Sequence, residues 1–168
     1  MEILYIISFS VEFIFKLGFV FLIKKLIMLE NKDIILQEAN KVCKNTLMET
    51  LNIELVDIGE DFLTLKMPVN SRVYQPDGVL HGGATAALAE SAGSMATHML
   101  LKDSSYIVRG IEITANHLKS VKDGFVYAKA TFIHKGRTTQ LISINITDDS
   151  NNLISHCKLT TISLPKSK

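Results

Sequence analysis

The stretch Gly82-Gly-Ala-Thr-Ala-Ala-Leu-Ala-Glu90-Ser-Ala-Gly-Ser-Met-Ala-Thr97 differs from every other part of the chain. Thirteen of its sixteen residues are Gly, Ala, Ser or Thr. The alanines favour a helix, whereas each glycine inside a helix costs about 1 kcal/mol of stability. A helix that tolerates such glycines is predicted to lie against another backbone at close range. We therefore predict a long central helix gripped by a curved sheet.

The sequence on both sides of this helix predicts strands. Alternating and β-branched patterns predict two strands before the helix and four after it, over residues 51–58, 62–69, 107–118, 124–134, 138–148 and 153–164. A further helix is predicted over residues 33–50, with Asn31 or Asp33 as its cap. This order predicts an α+β fold in which one six-stranded antiparallel sheet wraps around the long central helix.

Composition limits the classes of function. Of the 168 residues, 47% are hydrophobic and the formal net charge is +1, which predicts a globular domain without a general affinity for nucleic acid. The two cysteines, Cys43 and Cys157, are expected to be buried free thiols in a reducing, cytoplasmic compartment. The histidines lack paired metal-ligand spacing, and the chain has neither a phosphate-binding loop nor a dinucleotide fingerprint. No metal and no cofactor is therefore expected.

Residues 1–27 differ from the remainder because they are rich in Ile, Phe and Leu. Charged residues interrupt this apolar segment, so it is a poor membrane-spanning helix and contact with a membrane is not expected. Two explanations are open: an amphipathic helix that binds an interface or a partner, or a translation start at Met28. The second is favoured. Residues 28–168 are then expected to form one domain, with residues 1–27 as an extension outside it.

Glu90 is the only Asp, Glu, Lys or Arg between Asp77 and Lys102. Burying a carboxylate without a hydrogen bond or a counter-charge is costly. Glu90 could therefore lie on a solvated stripe of a surface helix, or it could take part in chemistry. Because no other charge shares such a stripe, the second interpretation is favoured, and Glu90 is the candidate catalytic carboxylate.

The tripeptide His81-Gly-Gly83 stands where a loop becomes the central helix. The first turn of a helix carries unpaired N–H groups and the positive end of the dipole. Glycines let a ligand approach these groups closely, and such N–H groups can stabilise a developing oxyanion. Alone, the tripeptide indicates only a glycine-rich helix start with His81 in the cap region; together with Glu90 it indicates a reaction site.

The spacing of Gly82 and Glu90 places them about 12 Å apart along a helix, at about 1.5 Å per residue. One reacting carbonyl cannot easily contact both groups of a single chain. If both act on it, they come from different subunits. The spacing therefore predicts an obligate homodimer with the site at its interface.

The segment Gln75–Ser94 resembles the signature of hotdog-fold thioesterases of the phenylacetate-degradation type. More narrowly, it is similar to 1,4-dihydroxy-2-naphthoyl-CoA hydrolases, to the proofreading thioesterase of enterobactin synthesis and to one class of 4-hydroxybenzoyl-CoA thioesterase. The resemblance extends from about residue 33 to 164 and includes Gly110–Ser120 and His134–Thr139. It implies hydrolysis of an acyl-CoA, in which the acyl group is aromatic, by a homotetramer of two dimers.

The same resemblance implies roles for individual residues. Glu90 would be the nucleophile or general base, and the Gly82 N–H, assisted by the Gln75 amide, would polarise the thioester oxygen. Ser94 would orient water or the leaving acyl group, and His81 would organise the loop or help to position the thioester. The implied CoA-binding residues are Gly110, His117, Leu118, Lys119, Ser120, His134, Lys135, Gly136, Arg137, Thr138 and Thr139.

The residues themselves support part of this assignment. Lys119, Lys135 and Arg137 are predicted to form a cationic set that meets the CoA phosphates, although a solvated rim of basic residues is the common alternative. Three other functions stay open: a proofreading thioesterase on acyl-carrier-protein thioesters, a non-catalytic acyl-CoA-binding module, and a dehydratase of the same fold.

Overall fold

The computed structural model of the protein describes residues 31–101 and 105–166. The predicted boundary at residues 27 and 28 lies outside these ranges, as does the apolar segment before it. Within the described ranges, no helix is both long enough and apolar enough to cross a membrane.

The chain alternates between helical and strand segments in nearly the predicted order. In chain order the elements are α1 (Lys32–Lys41), α2 (Leu47–Thr50), β1 (Glu54–Ile58), β2 (Phe62–Pro68), a 3-10 turn (Ser71–Val73), α3 (Gly82–Leu101), β3 (Tyr106–His117), β4 (Phe125–Lys135), β5 (Thr139–Asp148) and β6 (Leu153–Pro165).

The single helix predicted over residues 33–50 is wrong, because two helices occupy this range. Asn45 adopts a positive φ of 59°, which ends helical geometry. Thr46 then caps α2, since its side chain accepts a hydrogen bond from the Met48 N–H at 3.2 Å. Asn52, with a φ of 53°, turns the chain again. For this reason β1 begins at Glu54 rather than at the predicted residue 51.

The six strands form one antiparallel sheet in the order β1-β2-β4-β5-β6-β3. This confirms the predicted α+β fold, a hotdog fold with a six-stranded sheet around a long helix. β3 lies at one edge and pairs only with β6 among the strands that the structure describes. The register between these two strands shifts at Gly110 and Glu112, which makes Ile111 the extra residue of a bulge.

α3 packs across the sheet and contacts β2, β3, β4, β5 and β6. Its buried face is formed by Thr85, Leu88, Ala89, Ala92, Gly93, Ala96 and Thr97. A Cβ atom at Gly93 would stand 2.5 Å from Leu159 Cδ2 on β6, so the glycine allows the close approach that was predicted. The prediction was wrong about the partner, because the atoms in contact belong to a side chain and not to a backbone.

The core lies between α3 and the inner face of the sheet. Leu63, Leu65 and Met67 alternate along β2 and are fully buried. The intervening residues of this strand are half-buried on the outer face. Burial of each large apolar side chain contributes about 1.5–3 kcal/mol, which fixes the register of the strand under the helix.

Candidate active site

His81 forms the cap of α3. Its Nδ1 atom accepts a hydrogen bond from the Gly83 N–H at 2.7 Å, and its carbonyl oxygen accepts from the N–H groups of Ala84 and Thr85. Its own N–H donates to the Val73 carbonyl at 2.8 Å. These bonds tie the loop to the start of the helix.

Gly82 is the first residue of α3. Among the described residues, no oxygen accepts a hydrogen bond from the Gly82 N–H group. A Cβ atom here would stand 2.8 Å from His117 Nε2, so the imidazole of β3 packs directly against the helix start. The N–H therefore remains available to a ligand at the positive end of the helix dipole.

A cavity of about 250 Å³ opens at this end of the helix. Its lining includes two predicted catalytic residues, Gln75 and Gly82, and the four consecutive residues 117–120 that were predicted to bind CoA. Apolar side chains such as Val79 and Ile154 complete the wall. The structure thus brings two sets of predicted residues, more than thirty positions apart in the sequence, to one opening.

A tight turn presents Gln75 to the cavity. The Gln75 carbonyl accepts from the Gly78 N–H at 2.9 Å, and the Gln75 N–H donates to the Val79 carbonyl at 2.9 Å. Gly78 has a φ of 79°, a conformation that favours glycine. The Gln75 side chain is half-buried and has no hydrogen bond to any other described residue. Its amide can therefore donate to a ligand beside the Gly82 N–H.

Glu90 lies on the exposed side of α3, and a strand glycine makes room for its carboxylate. A Cβ atom at Gly110 would stand only 2.9 Å from Glu90 Oε1. Within the ranges that the structure describes, Glu90 has no ion pair or hydrogen bond. Ser94, one turn later, is half-buried. The carboxylate is therefore solvated in the isolated chain and stands next to the bulge of β3.

Gly82 and Glu90 are anchored at two separate places on β3. Gly82 contacts His117, at the end of the strand, whereas Glu90 contacts Gly110, seven residues earlier. Since α3 is continuous between them, the two groups are about 12 Å apart along its axis. The described chain therefore does not bring Glu90 to the cavity at Gly82.

The residues predicted to bind CoA are divided between distant places. Residues 117–120 line the cavity, and Gly110 lies against Glu90. Residues 134–139 form the hairpin between β4 and β5. Gln140 holds this hairpin by donating to the Gly136 carbonyl at 2.8 Å, and the Ser163 N–H donates to the Thr138 carbonyl at 2.7 Å.

The predicted cationic set is not one cluster within the chain. β5 serves as a ruler for their separation. Lys119 lies just after His117, which is opposite Ser155 of β6, and Ser155 is opposite Ile146 of β5. Lys135 is opposite Gln140 of β5. Six residues of β5 separate these positions, or about 20 Å. Lys135 forms an ion pair with Asp61, and Arg137 is exposed on the hairpin. Only Lys119 lies at the cavity.

Sequence reasoning missed three contacts of the site. The contact of Gly110 with Glu90 had a signal, because an isolated glycine in a strand pattern often marks a bulge or a close approach. No sequence signal indicated the contact of Gly82 with His117. None indicated the ion pair between Lys135 and Asp61. In the part of the chain that the structure describes, no group of three or more His, Cys, Asp or Glu residues could hold a metal ion.

Known proteins are similar to this chain in sequence and in fold. Residues 77–155 match the family model described as "Thioesterase superfamily". A Haemophilus influenzae protein named "Putative esterase" is 42% identical over 133 residues, which cover 79% of this chain and 96% of that protein.

Two solved structures of thioesterases are also similar to this chain. The thioesterase HI1161 from Haemophilus influenzae is 41% identical, with a TM-score of 0.75, and the match covers 77% of this chain and 90% of that chain. A mutant of the thioesterase PA1618 from Pseudomonas aeruginosa is 39% identical, with a TM-score of 0.76, and the match covers 78% of this chain and 94% of that chain.

Proposed function

Because the chain belongs to the thioesterase superfamily, we propose that it hydrolyses an aromatic acyl-CoA to the free acid and CoA, with Glu90 as the catalytic carboxylate. A candidate substrate is 1,4-dihydroxy-2-naphthoyl-CoA, which the resemblance of residues 75–94 suggests. The observation that carries the proposal is the cavity at the start of α3, where the Gly82 N–H has no intramolecular acceptor among the described residues. We assign residues 28–168 to the thioesterase domain.

The cavity supplies hydrogen-bond donors for a thioester oxygen. Gly82 and Gln75 both line the cavity, and we propose that the Gly82 N–H and the Gln75 side-chain amide donate to the same oxygen. As a nucleophile adds to the carbonyl carbon, this oxygen becomes negative, and fixed donors at a helix N-terminus stabilise the charge. Removing one such donor from an enzyme typically lowers kcat by about 10²–10³-fold.

Glu90 supplies the group that attacks the thioester or activates water. As a general base, it takes a proton from water while the water oxygen bonds to the carbonyl carbon. The C–S bond then breaks, and the thiolate leaves and takes up a proton. As a nucleophile, its carboxylate would form a mixed anhydride that water hydrolyses. Ser94 would orient the water, so we expect its replacement to have a smaller effect than that of Glu90.

A second copy of the chain would complete the site. Among the strands that the structure describes, β3 has a neighbour on one side only, and the side chains of Ile111 and Leu118 are 57% and 56% exposed. Such an edge is a template for pairing with another strand. We therefore propose a homodimer in which Glu90 of one copy faces the Gly82 N–H of the other, and a tetramer of two such dimers.

Mixing two inactive variants tests the shared site. Glu90→Ala removes the carboxylate. Gly82→Pro removes the N–H at the first helical position, where the backbone accepts proline, and its ring also displaces the exposed His117 imidazole. If the site is shared, each mixed dimer contains one intact site, and an equal mixture recovers about one quarter of the wild-type activity. The measurement is thiol release after co-refolding of the two variants. No recovery in verified mixed dimers would contradict a site built from two subunits.

A thiol-release assay over a panel of thioesters tests the substrate. We expect the wild-type protein to cleave aromatic acyl-CoAs with a higher kcat/KM than long-chain aliphatic ones. A preference for the same acyl group on a carrier protein would favour the proofreading function. Tight binding of acyl-CoA without thiol release would instead identify a non-catalytic binding module.

Two further assignments belong to this proposal. Lys119, at the cavity, and residues 134–139 remain the proposed contacts for the CoA moiety, and we propose that the Lys119 ammonium binds a phosphate. Cys43 and Cys157 are both buried free thiols, which supports activity in the reducing cytoplasm.

A further inference from the structure

His117, at the end of β3, is held by a buried hydroxyl group to which the proposed reaction assigns no role. The Nδ1 atom of His117 lies 3.2 Å from Ser155 Oγ on the neighbouring strand β6. The same oxygen lies 3.0 Å from the Asn116 carbonyl oxygen. Ser155 is fully buried, so water cannot replace either contact.

The hydrogen bonds of Ser155 determine the tautomer of His117. A carbonyl oxygen only accepts, so the single hydroxyl proton of Ser155 must be donated to Asn116. If it were donated to the imidazole instead, two oxygen lone pairs would face each other at 3.0 Å without a proton. Towards His117, the Ser155 oxygen can therefore only accept a hydrogen bond. The donor is His117 Nδ1, which must carry a proton.

Cys157 supports this arrangement from the other side. Its Sγ atom lies 3.5 Å from Ser155 Oγ. Burial raises the pKa of the Cys157 thiol, which outweighs the lowering by the Ser155 hydroxyl, so the thiol keeps its proton and can donate it. Ser155 then donates one hydrogen bond and accepts two, which uses its full capacity.

The other nitrogen of the imidazole, Nε2, lies beside Gly82 at the start of α3. With the proton on Nδ1, Nε2 carries a lone pair, and it lies where a Cβ atom of Gly82 would be only 2.8 Å away. His117 also lines the cavity together with Gln75 and Gly82. The cavity therefore combines two hydrogen-bond donors, the Gly82 N–H and the Gln75 amide, with one hydrogen-bond acceptor, His117 Nε2.

We propose that Ser155 is a positioning residue that fixes His117 as the Nδ1–H tautomer, so that Nε2 accepts a hydrogen bond from a proton donor of the bound thioester. The chemical class that matches is an amide N–H of the pantetheine arm, which CoA and carrier-protein thioesters share. The binding role rests on the proposed function, whereas the tautomer depends only on the protein itself.

The tautomer is tested by long-range ¹H–¹⁵N NMR spectra of the free protein at alkaline pH, where imidazoles are neutral. We expect wild-type His117 to be protonated at Nδ1 and the Ser155→Ala variant to shift towards the Nε2–H form. Ser155→Thr retains the hydroxyl and should retain the tautomer. Ser163→Ala is the matched control, because it removes another buried hydroxyl of β6 that binds Gln140 instead. A wild-type proton on Nε2, or an unchanged tautomer in Ser155→Ala, would overturn the proposal.

Steady-state kinetics test the consequence for binding. Loss of one neutral hydrogen bond is expected to raise KM of Ser155→Ala by about 3–10-fold, with kcat changed less than KM. Ser155→Thr should restore KM, which a defect of packing alone would not predict. An altered tautomer with an unchanged KM would refute the hydrogen bond to substrate. If the wild-type protein hydrolyses no thioester, the proposed function fails, and the spectra still decide the role of Ser155.

Discussion

Replacing Glu90 by glutamine is expected to lower kcat/KM for thioester hydrolysis by about 10²–10⁴-fold while the protein stays folded. Glutamine keeps the size of the side chain but can neither accept a proton from water nor attack a carbonyl carbon. Because Glu90 is exposed and unpaired among the described residues, its charge contributes little to stability. The measurements are thiol release and thermal unfolding on the same preparation.

Glu112 provides the matched control for this experiment. It is another exposed glutamate, and it lies beside the bulge of β3 near Gly110. Glu112→Gln changes the local charge by the same amount without touching the proposed carboxylate, so we expect activity close to that of the wild type. A folded Glu90→Gln or Glu90→Ala protein with near-normal turnover would refute the assignment of Glu90.

Substituting alanine for Gly110 is expected to lower kcat by about 10²-fold, because a displacement of roughly 1 Å in a reacting group can have this effect. The new methyl carbon would stand 2.9 Å from Glu90 Oε1 and 3.3 Å from Leu159 Cδ1. Leu159 is buried and can yield little, whereas the exposed carboxylate can swing away. The carboxylate would therefore move out of its position beside β3.

Stability measurements separate this displacement from damage to the fold. Alanine in a strand is more stable than glycine by about 0.5–1 kcal/mol, which offsets the cost of the tight contact with Leu159, so Gly110→Ala should unfold within a few degrees of the wild type. Thr114→Ala, at another exposed position of β3, is the control for a change on the same strand. Wild-type kcat in Gly110→Ala would show that the position of Glu90 over this glycine has no part in the reaction.

Local sequence patterns were sufficient to predict most of the fold. α3 begins at Gly82, as the small-residue stretch indicated, and each strand after it lies within one residue of its predicted bounds. These patterns work because alternation and helical spacing report which face of an element is buried. The break near Asn45 was missed, because a left-handed backbone conformation at one asparagine leaves no periodic signal.

The sequence predicted only part of the candidate site, because contacts across the sheet depend on strand register. Gln75 and Gly82 were identified together, and the structure places both at one cavity. Lys135 was predicted to meet phosphates, yet in the chain it pairs with Asp61, which is 74 residues away in the sequence. No local motif contains the register of β2 against β4 and β5, so no pattern could have predicted this pairing.

The edge position of β3 also has a consequence for the synthesis of the protein. Within the described sheet its partner is β6, with Tyr106 opposite Pro165 and His117 opposite Ser155. A ribosome adds residues from the N-terminus, so α3 and β3 emerge well before the strand that holds β3 in place. β3, which contacts Glu90 and Gly82, thus gains its neighbouring strand only after β6 has been synthesised, and a message truncated before β6 would yield a chain in which that strand cannot hold β3 in place.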